Sequence, residues 1–265
     1  MKLIQSRDNP FFKELLKLTS SARQRGKSNQ TLLDGAHLLA ACLDAGVAPL
    51  HILLNGNALQ DAEIEALTER AGGVLVTQLD SKLFSELSEL KTPTGVLTLI
   101  AVPQPDATIS DNRLALLLED IQDPGNLGSI LRSAAAAGCD AVFLSQGCTD
   151  AWSPKVLRAA MGGHFALHIY EHQNLPDVAR QFNGTLLATS LQTTYSLYDS
   201  DLTGKVKVAL MMGNEGAGLS DELLNLATQK ISIPMSGKVE SLNVAAATAI
   251  CLFEVAHQLG KQKMS

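Results

Sequence analysis

Five polar side chains carry types suited to chemistry at telling places in the chain: Asn126, Arg132, Glu215, Ser241 and Asn243. A guanidinium offers a fixed fork of donors to a phosphate and favours developing negative charge, but it hardly deprotonates in a protein. Carboxamides and a hydroxyl orient a polar substrate, and a carboxylate orders loops or pairs with a cation. The set suits positioning and electrostatic stabilisation.

Three segments must hold these side chains, and each is an apolar run that empties into a polar loop. Residues 233–245 combine a strand end, a Pro-bounded exit at Pro234, a loop containing Gly237 and the polar first turn of a long apolar helix. Ser241 or Asn243 can meet the unpaired N–H groups of that turn. Residues 114–118 are continuously apolar, the pattern of a strand buried on both faces, and lead through Pro124-Gly125 into an Ala-rich helix. Asn126 sits where a cap would, and Arg132 falls about one and a half turns into that helix. Residues 206–212 form a third strand, followed by Gly213-Asn214-Glu215-Gly216-Ala217-Gly218. Three glycines so close together suit backbone that turns sharply or lies against a ligand. Each loop alone reads equally well as punctuation. Three of them at strand ends of one α/β domain point to a shared site.

These blocks resemble the SpoU (TrmH-like) RNA ribose 2′-O-methyltransferases of the SPOUT superfamily. Asn126 and Arg132 match that family's first motif, residues 213–216 its second, and residues 233–235 through 241–245 its third. The stretch before residue 100 also resembles the family's substrate-binding domain. The resemblance implies S-adenosylmethionine as methyl donor and RNA, ribosomal more than transfer RNA, as substrate. It assigns Asn126, Arg132, Glu215, Ser241 and Asn243 to catalysis, and Gly213, Ile233 and Leu242 to the cofactor, with Thr189 as a further candidate in the pocket wall. Glycine at 213 is expected to admit close approach of the ligand. A trefoil knot in the C-terminal domain and a homodimer paired through it are also implied, the knot against the general rule that chains are unknotted.

The chain of 265 residues suits two domains, and 46% hydrophobic content supports real cores. No apolar run reaches the ~20 residues that span a bilayer, and the N-terminus lacks a secretory segment. Cys42, Cys139, Cys148 and Cys251 have neither metal nor redox spacing. A cytoplasmic protein with reduced thiols, outside the membrane, is the expectation. The net charge of −6 conceals an asymmetry: residues 1–30 hold seven cations against two carboxylates, a local +5, which leaves −11 on the rest. Lys13, Lys17, Arg23, Arg25 and Lys27 are therefore the candidate RNA-binding residues, although a solvated basic face would look the same. At 4% aromatic content, backbone and shape contacts fit RNA recognition better than extensive base stacking.

Periodicity predicts a small N-terminal α/β domain over residues 1–102 and a polar linker over 103–112. A C-terminal α/β domain with a mostly parallel sheet follows over 113–265. Expected strands there are 114–118, 141–145, 165–170, 186–190, 206–212 and 230–234. Expected helices are 127–137, 155–161, 175–182, 219–227 and 242–259. His164, His168 and His172 would align on a helix, but the alternation after Gly162-Gly163 favours a strand, and no metal site is expected. Two further readings compete with the enzyme: a catalytically silent RNA-binding protein on the same fold, and a nucleotide-dependent oxidoreductase. The second lacks the G-x-G-x-x-G fingerprint.

Overall fold

A computed structural model describes residues 1–56, 58–90, 94–105, 112–202, 204–214 and 216–261. The chain forms two compact units, Met1–Pro103 with Trp152–Phe165 and Gln104–Ala151 with Ala166–Ser265. The polar stretch expected as a linker falls mostly on residues 106–111, outside the described residues.

The first unit is a five-stranded sheet with helices on both faces. Its strands are β1 (Lys2–Ile4), β2 (Gln30–Asp34), β3 (His51–Asn55), β4 (Leu75–Leu79) and β5 (Val96–Ala101), in the order β1-β4-β3-β5-β2. Helices α1 (Pro10–Ser20) and α5 (Ser81–Leu87) bury Phe12, Leu15 and Phe84 against one face. Helices α3 (Ala36–Asp44) and α4 (Ala62–Arg70) bury Leu39, Ile64 and Leu67 against the other. A further helix, α2 (Ala22–Ser28), has no apolar period, which is why sequence patterning gives no sign of it.

Residues Trp152–Phe165, expected with the second domain, pack in this first unit instead. They carry α7 (Pro154–Ala160). The Thr31 hydroxyl donates to the Trp152 carbonyl at 2.7 Å, and Arg158 donates to the Glu89 carbonyl at 3.2 Å. Contacts between residues so far apart in the chain leave no local trace in the sequence.

The second unit contains β6 (Leu114–Leu118), β7 (Ala141–Ser145), β8 (His168–Gln173), β9 (Thr185–Thr189), β10 (Val208–Met212) and β11 (Gln229–Ile231). All pairings are parallel, in the order β11-β9-β10-β6-β7-β8. Strands buried on both faces carry continuous apolar sequence, as β6 and β10 do. Helices α8 (Leu175–Gln181) and α9 (Asp221–Leu226) pack on the face that presents Leu117, Phe143 and Met211. The alternate residues Leu116 and Leu210 face the other side, where α6 (Pro124–Ala136) packs against α10 (Val244–Lys261) and α10 reaches β10. Arg113 donates to the Leu259 carbonyl at 2.6 Å, satisfying an acceptor in the last turn of α10.

Strands β6 and β7 have the expected bounds, β9 and β10 differ by one or two residues, and β8 and β11 differ more. β8 begins three residues later than predicted, because residues 163–166 form a 3-10 turn that holds His164. His168 and His172 lie on the strand, so the three histidines do not share a helical face. β11 stops at Ile231, and Ser232 then exchanges backbone bonds with Tyr195 and Leu197 outside the main ladder. Among the described residues no helix is long and apolar enough to cross a membrane.

Candidate active site

The chain reverses direction across the sheet between β8 and β9, and β10 enters between β9 and β6. That places a crevice at the carboxyl ends of the central strands, the usual ligand position in an open parallel sheet. A cavity of about 350 Å3 occupies it. Thr189 ends β9, Met212 and Gly213 follow from β10, and Ile231 and Ile233 come from β11 and its exit; Ser241, Leu242 and Val244 close the far side. From the third expected motif, Ile233, Met235, Ser241 and Leu242 meet Thr189 and Gly213 in one place.

Asn243 does not line the cavity. It caps α10, its Oδ1 accepting from the Ala245 N–H at 2.9 Å and the Ala246 N–H at 3.3 Å. Its Nδ2 donates to Asn126 Oδ1 at 2.9 Å, joining the starts of α6 and α10. Asn126 itself is not the cap of α6. Asp123 holds that place, accepting from the Asn126 N–H at 2.7 Å, and Pro124 follows in the first turn. The sequence carried this signal, since proline favours the first helical position directly after a cap. With the helix starting earlier, Arg132 lies about two turns in. It is exposed on α6 and makes no hydrogen bond or ion pair among the described residues. Glu215 lies outside the described residues.

The segment after β10 is a tight turn built on Asn214. The Asn214 carbonyl accepts from the Gly218 N–H at 2.9 Å, and its Oδ1 accepts from the N–H groups of Gly216 at 2.7 Å and Ala217 at 3.3 Å. Gly213 is needed for this turn. A Cβ there would lie 2.1 Å from the Gly218 carbonyl carbon and 2.4 Å from the Leu219 nitrogen. The chain's own backbone therefore approaches Gly213 closely, and Gly213 lines the cavity as well. Sequence reasoning places Asn214 within the motif but misses its role.

The cavity fits S-adenosylmethionine. Its volume lies in the range of small-ligand pockets. Leu219, Leu224, Ile231 and Val244 give apolar walls for a flat base, while Thr189, Ser190, Gln192 and Ser232 supply polar groups. Asp221 is the one acidic side chain among the described lining residues, and an acid there complements a ligand that is a net cation. No thiol is activated: burial pushes Cys42 up to about 11 and Cys139 and Cys251 up to about 12, and raises Cys148. Among the described residues, no three His, Cys, Asp or Glu side chains are grouped to hold a metal.

In the first unit, the five basic residues separate into two kinds. Lys13 and Lys17 on α1, and Arg23 and Lys27 on α2, are exposed with i, i+4 spacing. Lys13 also pairs with Asp8 at 2.8 Å, an exposed contact that lowers the Asp8 carboxyl and adds little stability. Arg25 is a different case and corrects the expectation. It is only 6% exposed, and its guanidinium donates to the carbonyls of Leu18 at 2.5 Å and Thr19 at 3.4 Å. It caps the last turn of α1, so its fork is occupied by backbone. Arg25→Ala is expected to destabilise the first unit by about 1–3 kcal/mol, through carbonyls left without their charged donor. Chemical denaturation of the alanine variant checks this, and an unchanged midpoint would contradict it.

A parallel, doubly wound sheet with a cofactor-sized cavity at its strand ends, and polar groups from three loops converging beside it, defines a cofactor-binding α/β enzyme domain. The chain belongs to the SpoU rRNA methylase family, whose model matches residues 113–253; residues 9–98 match the MRM3-like substrate-binding domain. It is 35% identical to an uncharacterised tRNA/rRNA methyltransferase of Synechocystis, over 96% of this chain and 93% of that one. It is 32% identical to the 23S rRNA (guanosine(2553)-2′-O)-methyltransferase RlmP of Bacillus subtilis, over 96% and 99%. A crystal structure of an AdoMet-bound rRNA methyltransferase from Sinorhizobium meliloti superposes with a TM-score of 0.84 at 31% identity, covering 97% of this chain and 98% of that one. The enzyme is an S-adenosylmethionine-dependent RNA ribose 2′-O-methyltransferase.

Proposed function

We propose that this enzyme methylates a ribose 2′-hydroxyl in ribosomal RNA, with the cavity holding the methyl donor and Asn126, Arg132 and Asn243 acting on the RNA side. The observation that carries the reading is the Asn243–Asn126 hydrogen bond. It ties the first motif to the third, whose preceding residues Ser241 and Leu242 line the cavity. Ribosomal RNA is favoured by the names of the relatives and by the substrate-binding match over residues 9–98. A transfer RNA substrate is the alternative. Comparing ribose methylation of ribosomal RNA from cells with and without the protein tests this: loss of one mark supports it, and a loss confined to transfer RNA overturns it.

When bound, S-adenosylmethionine supplies a methyl group activated by its sulfonium. Thr189, Gly213, Ile233 and Leu242 hold the donor, and Asn126 orients the ribose. Arg132 clamps an RNA phosphate beside the target and favours charge developing on the 2′-oxygen. Since a guanidinium does not serve as a base, the hydroxyl proton passes to phosphate or water. Glu215 orders the loops, and Ser241 shapes the substrate side.

The basic face of the first unit neutralises RNA phosphates. Reversing Lys13, Lys17, Arg23 and Lys27 to Glu should weaken RNA binding and lower its salt slope by about 1 for each phosphate no longer neutralised. S-adenosylmethionine affinity should not move. An unchanged slope, measured by RNA titration between low and moderate salt, would leave these residues as a solvated face.

The enzyme pairs as a homodimer through its knotted C-terminal domain, and works in the cytoplasm. Along α10, Ala246, Ile250 and Phe253 form an exposed stripe at helical spacing, with Phe253 52% and Ile250 36% exposed. Phe253→Glu should yield a folded monomer. Light scattering and circular dichroism check both points, and a wild-type monomer at micromolar concentration that still methylates RNA would contradict the pairing.

A further inference from the structure

Strand β6 is followed directly by two consecutive acids, Glu119 and Asp120. Neither lines the cavity, yet both grip the segment that does. The Glu119 N–H donates to the Met212 carbonyl at 2.9 Å, extending the β6–β10 ladder to the point where the turn begins. Its carboxylate Oε2 accepts from the Ser220 N–H at 2.7 Å, and Ser220 is the cap of α9. A carboxylate there also suits the positive end of that helix.

Asp120 acts through its backbone. Its φ of 55° lies in the left-handed region, where only glycine, asparagine and aspartate sit readily. That conformation aims its carbonyl at Asn214, whose Nδ2 donates to it at 3.0 Å. Ser145 meets both the backbone and the side chain of Asp120. The Asp120 N–H donates to Ser145 Oγ at 2.9 Å, and the Ser145 hydroxyl donates back to Oδ1 at 2.7 Å. A Cβ at residue 147 would lie 2.1 Å from the same Oδ1, so the carboxylate occupies a notch that glycine at 147 leaves open.

We propose that Glu119 and Asp120 are positioning residues, a two-point clamp that sets the Asn214 turn and the start of α9 for the methyl donor. One point holds Asn214 and the other holds Ser220. Between them lie Gly216, Gly218 and Leu219, and Asp221 follows directly; all four line the cavity. The clamp rests on the assignment of this cavity to S-adenosylmethionine.

Calorimetric titration of S-adenosylmethionine into the full chain tests the clamp, with thermal melting as a control of fold. Glu119→Ala should weaken donor affinity about tenfold. Glu119→Gln keeps an acceptor for the Ser220 N–H and should remain within about threefold of wild type. Asp120→Gly keeps the left-handed backbone and should also bind normally, whereas Asp120→Val should lose about tenfold. In steady-state assays the loss should appear as a raised KM for the donor, with the KM for RNA and kcat little changed. Should Glu119→Ala fail to fold, the glutamine variant and the glycine–valine pair decide the matter. Folded Glu119→Ala that binds as wild type does, glutamine as weak as alanine, or valine as strong as glycine would each overturn the clamp. If the cavity assignment itself were wrong, Leu224→Glu in the cavity wall would also leave donor affinity at the wild-type value.

Discussion

Arg132→Ala is expected to reduce methyl transfer by about a thousandfold while S-adenosylmethionine affinity stays within about threefold of wild type. The guanidinium is exposed on α6 and absent from the cavity lining, so its removal leaves the donor's surroundings intact. The RNA loses its phosphate clamp and the charge that faces the developing oxyanion. Lysine at 132 keeps the charge but not the planar fork, and should restore little. Single-turnover transfer measured beside calorimetric donor binding separates the two effects. Equal loss of donor affinity in the alanine variant would show that Arg132 belongs to the cofactor side.

Gly213→Ala should have the next largest effect, through the opposite route. The new methyl would stand 2.1 Å from the Gly218 carbonyl carbon, far inside van der Waals separation, and the atoms it meets are backbone. No rotamer change relieves that overlap, so the turn closed by the Asn214–Gly218 bond has to open. Overpacking of this severity costs about 3 kcal/mol, roughly a hundredfold in donor affinity. Gly216→Ala is the matched control. A Cβ there meets only Asn214 Oδ1 at 3.4 Å, an ordinary contact, and binding should remain within about threefold. Equal behaviour of the two alanine variants in donor titration would contradict the packing argument.

These two glycines show where local sequence stops being informative. Both sit in the same motif, and composition marks both as permissive backbone. Only the fold reveals that Gly213 faces Gly218 and Leu219 while Gly216 does not. The strands were legible for a physical reason: β6 and β10 are buried on both faces and had to be continuously apolar. A cap at Ser241 or Asn243 was legible because polar residues preceded a long apolar helix, and the structure selects Asn243. Helix α2 was hidden, since Ala22–Ser28 lacks an apolar stripe and is held by tertiary contact, with Arg25 reaching back to α1. That same contact turned a cation read as an RNA ligand into a structural one. The packing of Trp152–Phe165 into the first unit was invisible for a related reason, since its partners lie at Thr31 and Glu89. The site residues, by contrast, cluster at strand-to-helix junctions, where local rules and the ligand's needs coincide. Glu119 and Asp120 escaped notice because their partners, Ser220, Asn214 and Ser145, are distant in sequence.

The most direct measurement of the central claim is transfer from a donor labelled in its methyl group. The intact protein is incubated with ribosomal RNA and, separately, with transfer RNA, and the products are digested with alkali. A 2′-O-methyl group blocks cleavage of the adjoining phosphodiester, so the label is expected in alkali-resistant dinucleotides from ribosomal RNA, and Arg132→Ala should abolish it. Label released as mononucleotides, or no transfer to either RNA by protein that binds both donor and RNA, would contradict the account.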